Sequence, residues 1–411
     1  MYSKYSMYIR LLFLLIVILS KASSTCLREK PARTPVIIIP GDAGDQIEAQ
    51  LNKKRVIHPE CPKTTKDFIT LWLNVRDLIT SLDCWADNVK LHYCNVTRKT
   101  YNSEGVTTRI PGFGNTNSLE WLDPKFKELG QYFAFVVSHL VELGYERGVS
   151  LRGAPYDFRK APNEQGGYFV QLKNLIEETY RINGNKPVAL LAHSMGGSMA
   201  LHLLHGQSKQ WKEKYIHSLI SLSGVWGGAV KAMKAIATGE NFGISALNET
   251  LLREIERSLP STVWLMPSSS FWKPDEILIQ TQKKNFTVNN FQQFFDDIGY
   301  PTGWEMRKDI EKYSDHTIPP NVEVHCLHGI GLKTVDRLNY GKYNPFPDEE
   351  PSIVYGDGDG SVNKRSLEGC LKWRGQQKEK VHYLTFNKTS HFSVITDDRI
   401  ITYLKKVLIN M

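Results

Sequence analysis

Short apolar runs alternate with longer amphipathic stretches along most of the chain. Residues 130–148 and 166–184 carry apolar positions at helical spacing, and each stretch ends at a glycine. Other runs rich in Val, Ile and Leu are bounded by turn residues and predict buried strands: TPVIIIPG (34–41), KPVALLA (186–192), IHSLISLSG (216–224), NVEVHCLHG (321–329), PSIVYG (351–356) and VHYLTF (381–386). Strands that alternate with helices in this way predict an α/β fold with a mostly parallel sheet.

The first residues have a different pattern. Lys4 and Arg10 precede an apolar run at 11–20, and small residues follow it. This order predicts a secretory signal peptide at residues 1–24. The apolar run is too short to span a bilayer, and no later stretch is long enough. We therefore expect the mature chain to be soluble in the secretory pathway.

An oxidising compartment makes disulfides the expected state of the six cysteines, Cys26, Cys61, Cys84, Cys94, Cys326 and Cys370. Their spacing does not select a pairing. It also does not favour a metal site, because there is no C-x-x-C pair and no histidine at ligand spacing. Four N-x-S/T sequons predict glycosylated surface loops at Asn95, Asn248, Asn285 and Asn387.

The chain has a formal net charge of +8. Such a charge favours anionic surfaces, including acidic lipid headgroups. The basic residues are scattered and no nucleic-acid-binding motif accompanies them, so we expect no nucleic acid partner. A contribution of the charge to solubility alone is the alternative.

The strongest candidate for a nucleophile is Ser194, in the sequence AHSMG. Residues 188–192 before it are apolar, and a helical pattern follows. A nucleophile elbow usually has glycine two residues before the serine, and Ala192 is the smallest side-chain substitute for it. The helix N-terminus would direct N–H groups at the serine oxygen. A buried serine in an ordinary strand-to-helix turn is the alternative.

A serine hydroxyl needs a histidine base and an orienting acid, which follow it in α/β-hydrolases in the order Ser, acid, His. His202 and His205 lie on the predicted helix after the serine, and His325 and His328 flank a cysteine in a predicted strand. His391 follows the last predicted strand, from which a loop can reach the serine. We therefore predict His391 as the base.

The stretch VYGDGDGSVN at 354–363 permits two interpretations. Asp357, Asp359 and Glu368 fit part of a calcium loop, but Val362 stands where an EF-hand requires glycine, and a strand precedes the loop. The glycines instead allow a tight turn that presents one aspartate at the end of a strand. We predict Asp359 as the acid, with Asp357 as the alternative, and neither a metal nor a cofactor.

An oxyanion intermediate needs two backbone N–H donors, one after the nucleophile and one from an early loop. These requirements predict Met195 and Asp42, the latter in the loop after the first strand. A charged Asp42 carboxylate would oppose an oxyanion. Protonation of Asp42 at acidic pH would remove this conflict.

Together these motifs resemble the lecithin:cholesterol acyltransferase-like lipases over about residues 34–410. The resemblance rests on PGDAGDQIEAQL, DCWADN, PGFGNT, LRGAPYDFRKAPN, AHSMGG, VWGG, DIGY, GDGDGSVN and SHF. It implies an α/β-hydrolase domain at 34–411, with a small membrane-binding subdomain at 51–115 and a cap or lid at about 229–320. It also implies the triad and the oxyanion donors at the positions predicted above.

The resemblance further implies two disulfides, Cys61–Cys84 and Cys326–Cys370, which leaves Cys26 and Cys94 paired with each other or free. The implied activity is that of an acidic, calcium-independent phospholipase A and O-acyltransferase without cofactors. A serine acyl-enzyme would pass the acyl chain to water or to a lipid alcohol such as ceramide. The implied place is the lysosome lumen or the extracellular space, at a membrane or lipoprotein surface.

Two other functions are alternatives to this one. The first is a secreted phosphatidylcholine-sterol acyltransferase, and the second is a binding protein on a hydrolase fold. The presence of nucleophile, acid and base argues against a binding protein. The sequence does not indicate the preferred acyl position, the acyl acceptor or the oligomeric state.

One segment departs from the family pattern. WLNVRDLITSLDCW, at 72–85, contains charged residues where relatives are mostly apolar. Its helical spacing predicts an amphipathic helix that could lie in a lipid interface or pack on the core. The apolar face of that helix would consist of Leu71, Val75, Leu78, Ile79 and Leu82.

Overall fold

The computed structural model describes residues 33–241 and 248–409. The predicted signal peptide at 1–24 and Cys26 lie outside the described residues. Within the described ranges, no helix combines the length and the apolar composition needed to cross a bilayer.

The described chain forms fifteen strands. They are β1 (Val36–Ile39), β2 (Ile47–Leu51), β3 (Ile69–Trp72), β4 (Leu91–Cys94), β5 (Lys99–Asn102), β6 (Val106–Arg109), β7 (Leu151–Gly153), β8 (Val188–His193), β9 (Ile216–Leu222), β10 (Ile279–Gln280), β11 (Asn285–Phe286), β12 (Val324–Ile330), β13 (Leu332–Asn339), β14 (Ser352–Gly358) and β15 (Val381–Asn387).

Its α-helices surround these strands. They are α1 (Val75–Thr80), α2 (Leu82–Val89), α3 (Asn117–Glu120), α4 (Ala134–Glu142), α5 (Gly166–Ile182), α6 (Met195–His205), α7 (Lys209–Tyr215), α8 (Val230–Ala237), α9 (Glu249–Ser258), α10 (Pro260–Trp264), α11 (Phe291–Asp297), α12 (Pro301–Ile310), α13 (Lys364–Leu367) and α14 (Asp398–Leu408). Short 3₁₀ turns lie at Pro162–Glu164, Glu311–Tyr313, Glu368–Trp373 and Ser393–Thr396.

The central sheet has the strand order β15-β12-β9-β8-β1-β7, and every neighbouring pair is parallel. In β1, Ile37 and Ile39 face one apolar core, whereas Val36 and Ile38 face the other. Because both faces of the sheet are covered, its strands are apolar runs without alternation. The predicted α/β fold with a mostly parallel sheet is confirmed.

A second sheet of order β11-β10-β13-β14 stands apart from the first. Its longest pairing is the antiparallel one between β13 and β14. The PSIVYG run forms β14 and therefore belongs to this second sheet rather than to the central one. The turn that follows β14 carries Asp359, so the second sheet positions that carboxylate.

The segment 51–115 contains the antiparallel sheet β3-β2-β6 and the hairpin β4-β5. The single amphipathic helix predicted here is wrong. Leu71 lies in β3, Asn74 caps α1 by accepting from the Asp77 N–H, and the non-helical backbone of Ser81 separates α1 from α2. The supposed apolar face is thereby split, and Ile79 is left 74% exposed.

Arg159 in the RGAPYDFR motif joins this segment to the rest of the chain. Its guanidinium is fully buried, pairs with both carboxylate oxygens of Asp157 at 2.8 Å and donates to the Val89 carbonyl at 3.0 Å. It also donates to the side chains of Asn102 and Thr108. Because a buried charge needs such partners, this motif fixes the segment against β7 and the loop after it.

The structure contains both disulfides that the resemblance implies, Cys61–Cys84 and Cys326–Cys370. Cys94 has no disulfide partner within the described ranges. The four sequon asparagines are exposed, although Asn285 and Asn387 stand at strand ends rather than in loops. The predicted cap, described over 229–241 and 248–320, holds helices α8 to α12 and the short strands β10 and β11; its role as a lid stays a prediction.

Candidate active site

Ser194 lies at the sharp turn between β8 and α6, with φ 54° and ψ −127°. A side chain at Gly196 would meet the Pro40 carbonyl, and one at Gly41 would meet Ser194 itself. These close approaches require glycine at both positions. The strained turn holds the Ser194 side chain against the loop that follows β1, which is the geometry of a nucleophile elbow.

His391 joins Ser194 to Asp359. Its Nε2 lies 2.8 Å from Ser194 Oγ, and its Nδ1 lies 2.7 Å from Asp359 Oδ2. The His391 N–H also donates to the Asp359 carbonyl at 2.9 Å, so the backbone fixes the pair as well. All three residues are buried. This arrangement can move a proton from the hydroxyl to the imidazole while the carboxylate stabilises the imidazolium.

Asp359 is held in its ionised form. Its Oδ1 accepts N–H groups of Ser361 at 3.1 Å and Val362 at 2.8 Å. Burial alone would raise the pKa of Asp359, but the charge and hydrogen bond of His391 and these N–H donors outweigh it, and the pKa is lowered. Asp357 instead accepts the Gly331 N–H and faces Lys364. The structure therefore places Asp359, not Asp357, against the histidine.

The two predicted oxyanion donors flank the serine. Met195 is the first residue of α6, and Asp42 lies in the loop after β1. Neither N–H donates to another group among the described residues. Two free N–H groups beside the nucleophile can stabilise a negative oxygen on a bound ester.

The Asp42 carboxyl is unusual for its position. Its Oδ1 is enclosed and has no hydrogen-bond partner in the described part of the chain. Burial raises the pKa of Asp42 to about 7, and a hydrogen bond from the Ala43 N–H offsets this only in part. The fully buried Asp45 lies nearby, and burial raises its pKa as well. In acid, Asp42 is therefore neutral and adds no repulsion to an oxyanion.

Sequence reasoning missed two buried residues, Tyr132 and His193. His193 Nε2 donates to the His391 carbonyl at 2.8 Å, and its Nδ1 accepts from the Tyr132 hydroxyl at 2.5 Å. The Tyr132 hydroxyl in turn accepts the Gly41 N–H at 3.1 Å. Burial, with the charge of His391, lowers the pKa of His193 to about 3, so it stays neutral. The only available signal was the position of His193 directly before Ser194.

These contacts tie the loop carrying Asp42 to the backbone of the histidine that faces Ser194. The parallel sheet, the strained serine turn and the hydrogen-bonded histidine and aspartate are together the features of an α/β-hydrolase. Sequence comparison identifies the family within the α/β-hydrolases to which the chain belongs. Residues 68–398 match the family described as lecithin:cholesterol acyltransferase, and the chain belongs to that family.

Several relatives cover nearly the whole chain. "Lysosomal phospholipase A and acyltransferase" of Bos taurus is 44% identical over 379 residues, covering 92% of each chain. The human protein of the same name is 42% identical over 402 residues, covering 97% of this chain and 96% of its own. "Phosphatidylcholine-sterol acyltransferase" of Gallus gallus is 40% identical over 370 residues, covering 90% and 88%.

A solved structure supports the fold. A chain in the crystal structure of the Tle4-Tli4 complex has a TM-score of 0.53 and 12% sequence identity, covering 92% of this chain and 99% of its own. At this identity the likeness bears on the fold alone.

Tyr132→Phe leaves the Gly41 N–H and His193 Nδ1 without their shared partner, so His391 and the loop that carries Asp42 lose a common support. We expect kcat for ester cleavage to fall about tenfold, the equivalent of one hydrogen bond, with little change in KM. The control is Tyr145→Phe, whose buried hydroxyl donates to the carbonyls of Thr34 and Leu408 away from the site. An equal fall of kcat in both variants would reduce Tyr132 to a structural role.

Proposed function

We propose that Ser194, His391 and Asp359 catalyse acyl transfer in a phospholipase A and O-acyltransferase. Ser194 Oγ attacks an ester carbonyl of a glycerophospholipid while His391 Nε2 takes the hydroxyl proton. The N–H groups of Asp42 and Met195 bind the resulting oxyanion. His391 then returns the proton to the departing lysophospholipid alcohol, which leaves the acyl chain on Ser194.

The acyl-enzyme has two fates. Water can attack the acyl carbonyl and release a fatty acid, or the hydroxyl of a lipid alcohol can attack and receive the chain as an ester. In both cases His391 removes the proton of the attacking group and returns it to Ser194 Oγ. Transfer to an alcohol requires that water be excluded from the site.

The observation that carries this proposal is the continuous contact from Asp359 through His391 to Ser194. The relatives at 42–44% identity support phospholipase and acyltransferase activity, and their name places them in lysosomes. The relative named for sterol acylation is slightly more distant, at 40%. The raised pKa of Asp42 independently favours work in an acidic compartment. We therefore assign the protein to the lysosome lumen, with secretion as the alternative.

Residues 51–115 are proposed to hold the protein on a phospholipid surface. α1 buries none of its residues and exposes Ile79. It follows directly after β3, whose Trp72 indole N–H donates to the Ala43 carbonyl at 2.9 Å. This bond connects the strand before the exposed helix α1 with the loop that carries Asp42, so lipid contact at Ile79 occurs close to the serine. The net positive charge favours an anionic surface.

The activity is tested on liposomes of phosphatidylcholine that contain either ceramide or cholesterol. We expect lysophospholipid, free fatty acid and an acyl ester of ceramide, and we expect Ser194→Ala to lower all three at least about a thousandfold. Mass spectrometry of the product lipids provides the readout. The control is Ser218→Ala, another buried serine of the central sheet.

The product lipids also distinguish acyl transfer to ceramide from acyl transfer to cholesterol. Acyl transfer to cholesterol without transfer to ceramide would replace this proposal by sterol acylation. Liposomes left intact at both acidic and neutral pH would refute the activity altogether.

The titration of Asp42 predicts how activity and stability depend on pH. Because the folded pKa of Asp42 lies above its usual 3.8, the folded chain gains stability from this proton at low pH and loses it as pH rises through about 7. Asp42→Asn should keep activity above pH 7, where the wild type declines, and its melting temperature should fall less between pH 5 and 8. The exposed Asp67→Asn serves as the control. Identical pH profiles for wild type and Asp42→Asn would contradict the assignment.

The surface contact is tested by Ile79→Ser. Because Ile79 would transfer most of its side chain from water into lipid, we expect binding to vesicles containing phosphatidylglycerol to weaken roughly tenfold in sedimentation. The control is Leu129→Ser, which removes an apolar side chain that is 70% exposed outside this segment. Equal binding by both variants would show that α1 does not contact the membrane.

A further inference from the structure

Three side chains with metal-ligand chemistry converge at one end of the central sheet. Glu323 directly precedes β12, His325 lies on β12, and His382 lies on β15. The parallel register places His325 opposite His382. Residues two apart on a strand point to the same face, so Glu323 joins the two histidines.

This end of the sheet is the one opposite the serine site. His325 and His382 stand near the starts of their strands, whereas Ser194 and His391 follow the carboxyl ends of β8 and β15. Phospholipid cleavage as proposed above makes no use of the three residues.

The three ligand atoms are close together. The nitrogens of both histidines and a carboxylate oxygen of Glu323 lie within 4.8 Å of one another. Glu323 Oε1 is 2.7 Å from His382 Nε2 and 3.8 Å from His325 Nε2. Two ligands of a tetrahedral zinc ion lie roughly 3.3–3.5 Å apart, given metal–nitrogen distances near 2.0–2.1 Å. Small rotations of these side chains therefore suffice for coordination.

His325 is already oriented as a ligand. It is 4% exposed, and its Nε2 has no hydrogen-bond partner among the described residues. Its Nδ1 lies 2.8 Å from the hydroxyl of Tyr403 on α14. When Nδ1 carries the proton and donates to that oxygen, Nε2 presents a free lone pair towards Glu323. Metal-binding histidines are oriented in this way by a partner on their second nitrogen.

We propose that Glu323, His325 and His382 bind a divalent transition-metal ion, with zinc as the ion that fits best. Two imidazoles and a carboxylate are ligands that zinc accepts, and a water completes four-coordination. The ion and the water can reach the site because the side chains of Glu323 and His382 are 42% and 40% exposed.

A bound ion would act on stability rather than on chemistry. β15 is an edge strand of the central sheet, and it leads into the loop that carries His391. Coordination would link β15 to β12 directly and, through Tyr403, to α14. His382 is 59 residues from Glu323 in the sequence, so the spacing along the chain does not indicate that the three residues meet.

The test uses the purified full-length protein, stripped with EDTA and dialysed at pH 7.5. Zinc chloride is titrated in a calorimeter, and melting curves are recorded with and without zinc. We expect one equivalent to bind with a Kd in the micromolar range or below and to raise the melting temperature by several degrees. His382→Gln, at a half-exposed position, should weaken that binding at least tenfold, and Glu323→Gln should also weaken it.

His58→Gln is the matched control. His58 also pairs with a carboxylate, Asp83, at 2.7 Å on the surface, but no second histidine joins that pair among the described residues. The control should keep the wild-type affinity and melting shift. The proposal would be overturned if zinc left the melting temperature of the wild type unchanged. It would also be overturned if His382→Gln bound zinc with the wild-type affinity. Zinc bound equally by all variants would show that it sits elsewhere.

Discussion

The contact of His391 with both Ser194 and Asp359 is the constraint that organises the structure. Its three residues follow three different strands: β8 and β15 of the central sheet, and β14 of the second sheet. The distances of 2.7 and 2.8 Å exist only if the two sheets keep their relative placement. A buried hydrogen bond is sensitive to small displacements, so the packing between the sheets is part of the site.

The surroundings of the serine hold neighbouring groups in different protonation states. Hydrogen bonds and the adjacent imidazole keep Asp359 charged despite its burial, while burial keeps His193 neutral. Asp42 has no comparable set of donors, and burial dominates there. Of these three groups, only the carboxylate that contacts His391 is charged in acid, and the loop that carries Asp42 is neutral there. At neutral pH, an ionised Asp42 carboxylate would repel a developing oxyanion.

Much of this could be predicted from the sequence, because the signals were local or fixed by chain order. The apolar runs predicted the main strands, the AHSMG sequence after one of these runs indicated Ser194, and the order Ser, acid, His then selected His391. Asp359 and Asp357 share the same glycine-rich turn, so only the folded turn separates them. β7 is three residues long and carried no periodic signal. The single helix predicted at 72–85 was wrong because the spacing of apolar residues does not reveal the breaks at Asn74 and Ser81.

What could not be predicted arises from contacts between distant parts of the chain. The Tyr132–His193 link depends on a separation of 61 residues, and the second sheet joins segments that show no common pattern. The proposed activity requires that Ser194 carry the acyl chain during turnover. It is tested most directly by quenching the enzyme in acid during phosphatidylcholine cleavage and mapping the acyl group by mass spectrometry. We expect a fatty acyl ester on Ser194 that disappears in His391→Ala. An acyl group on another residue, or turnover with Ser194 never modified, would contradict it.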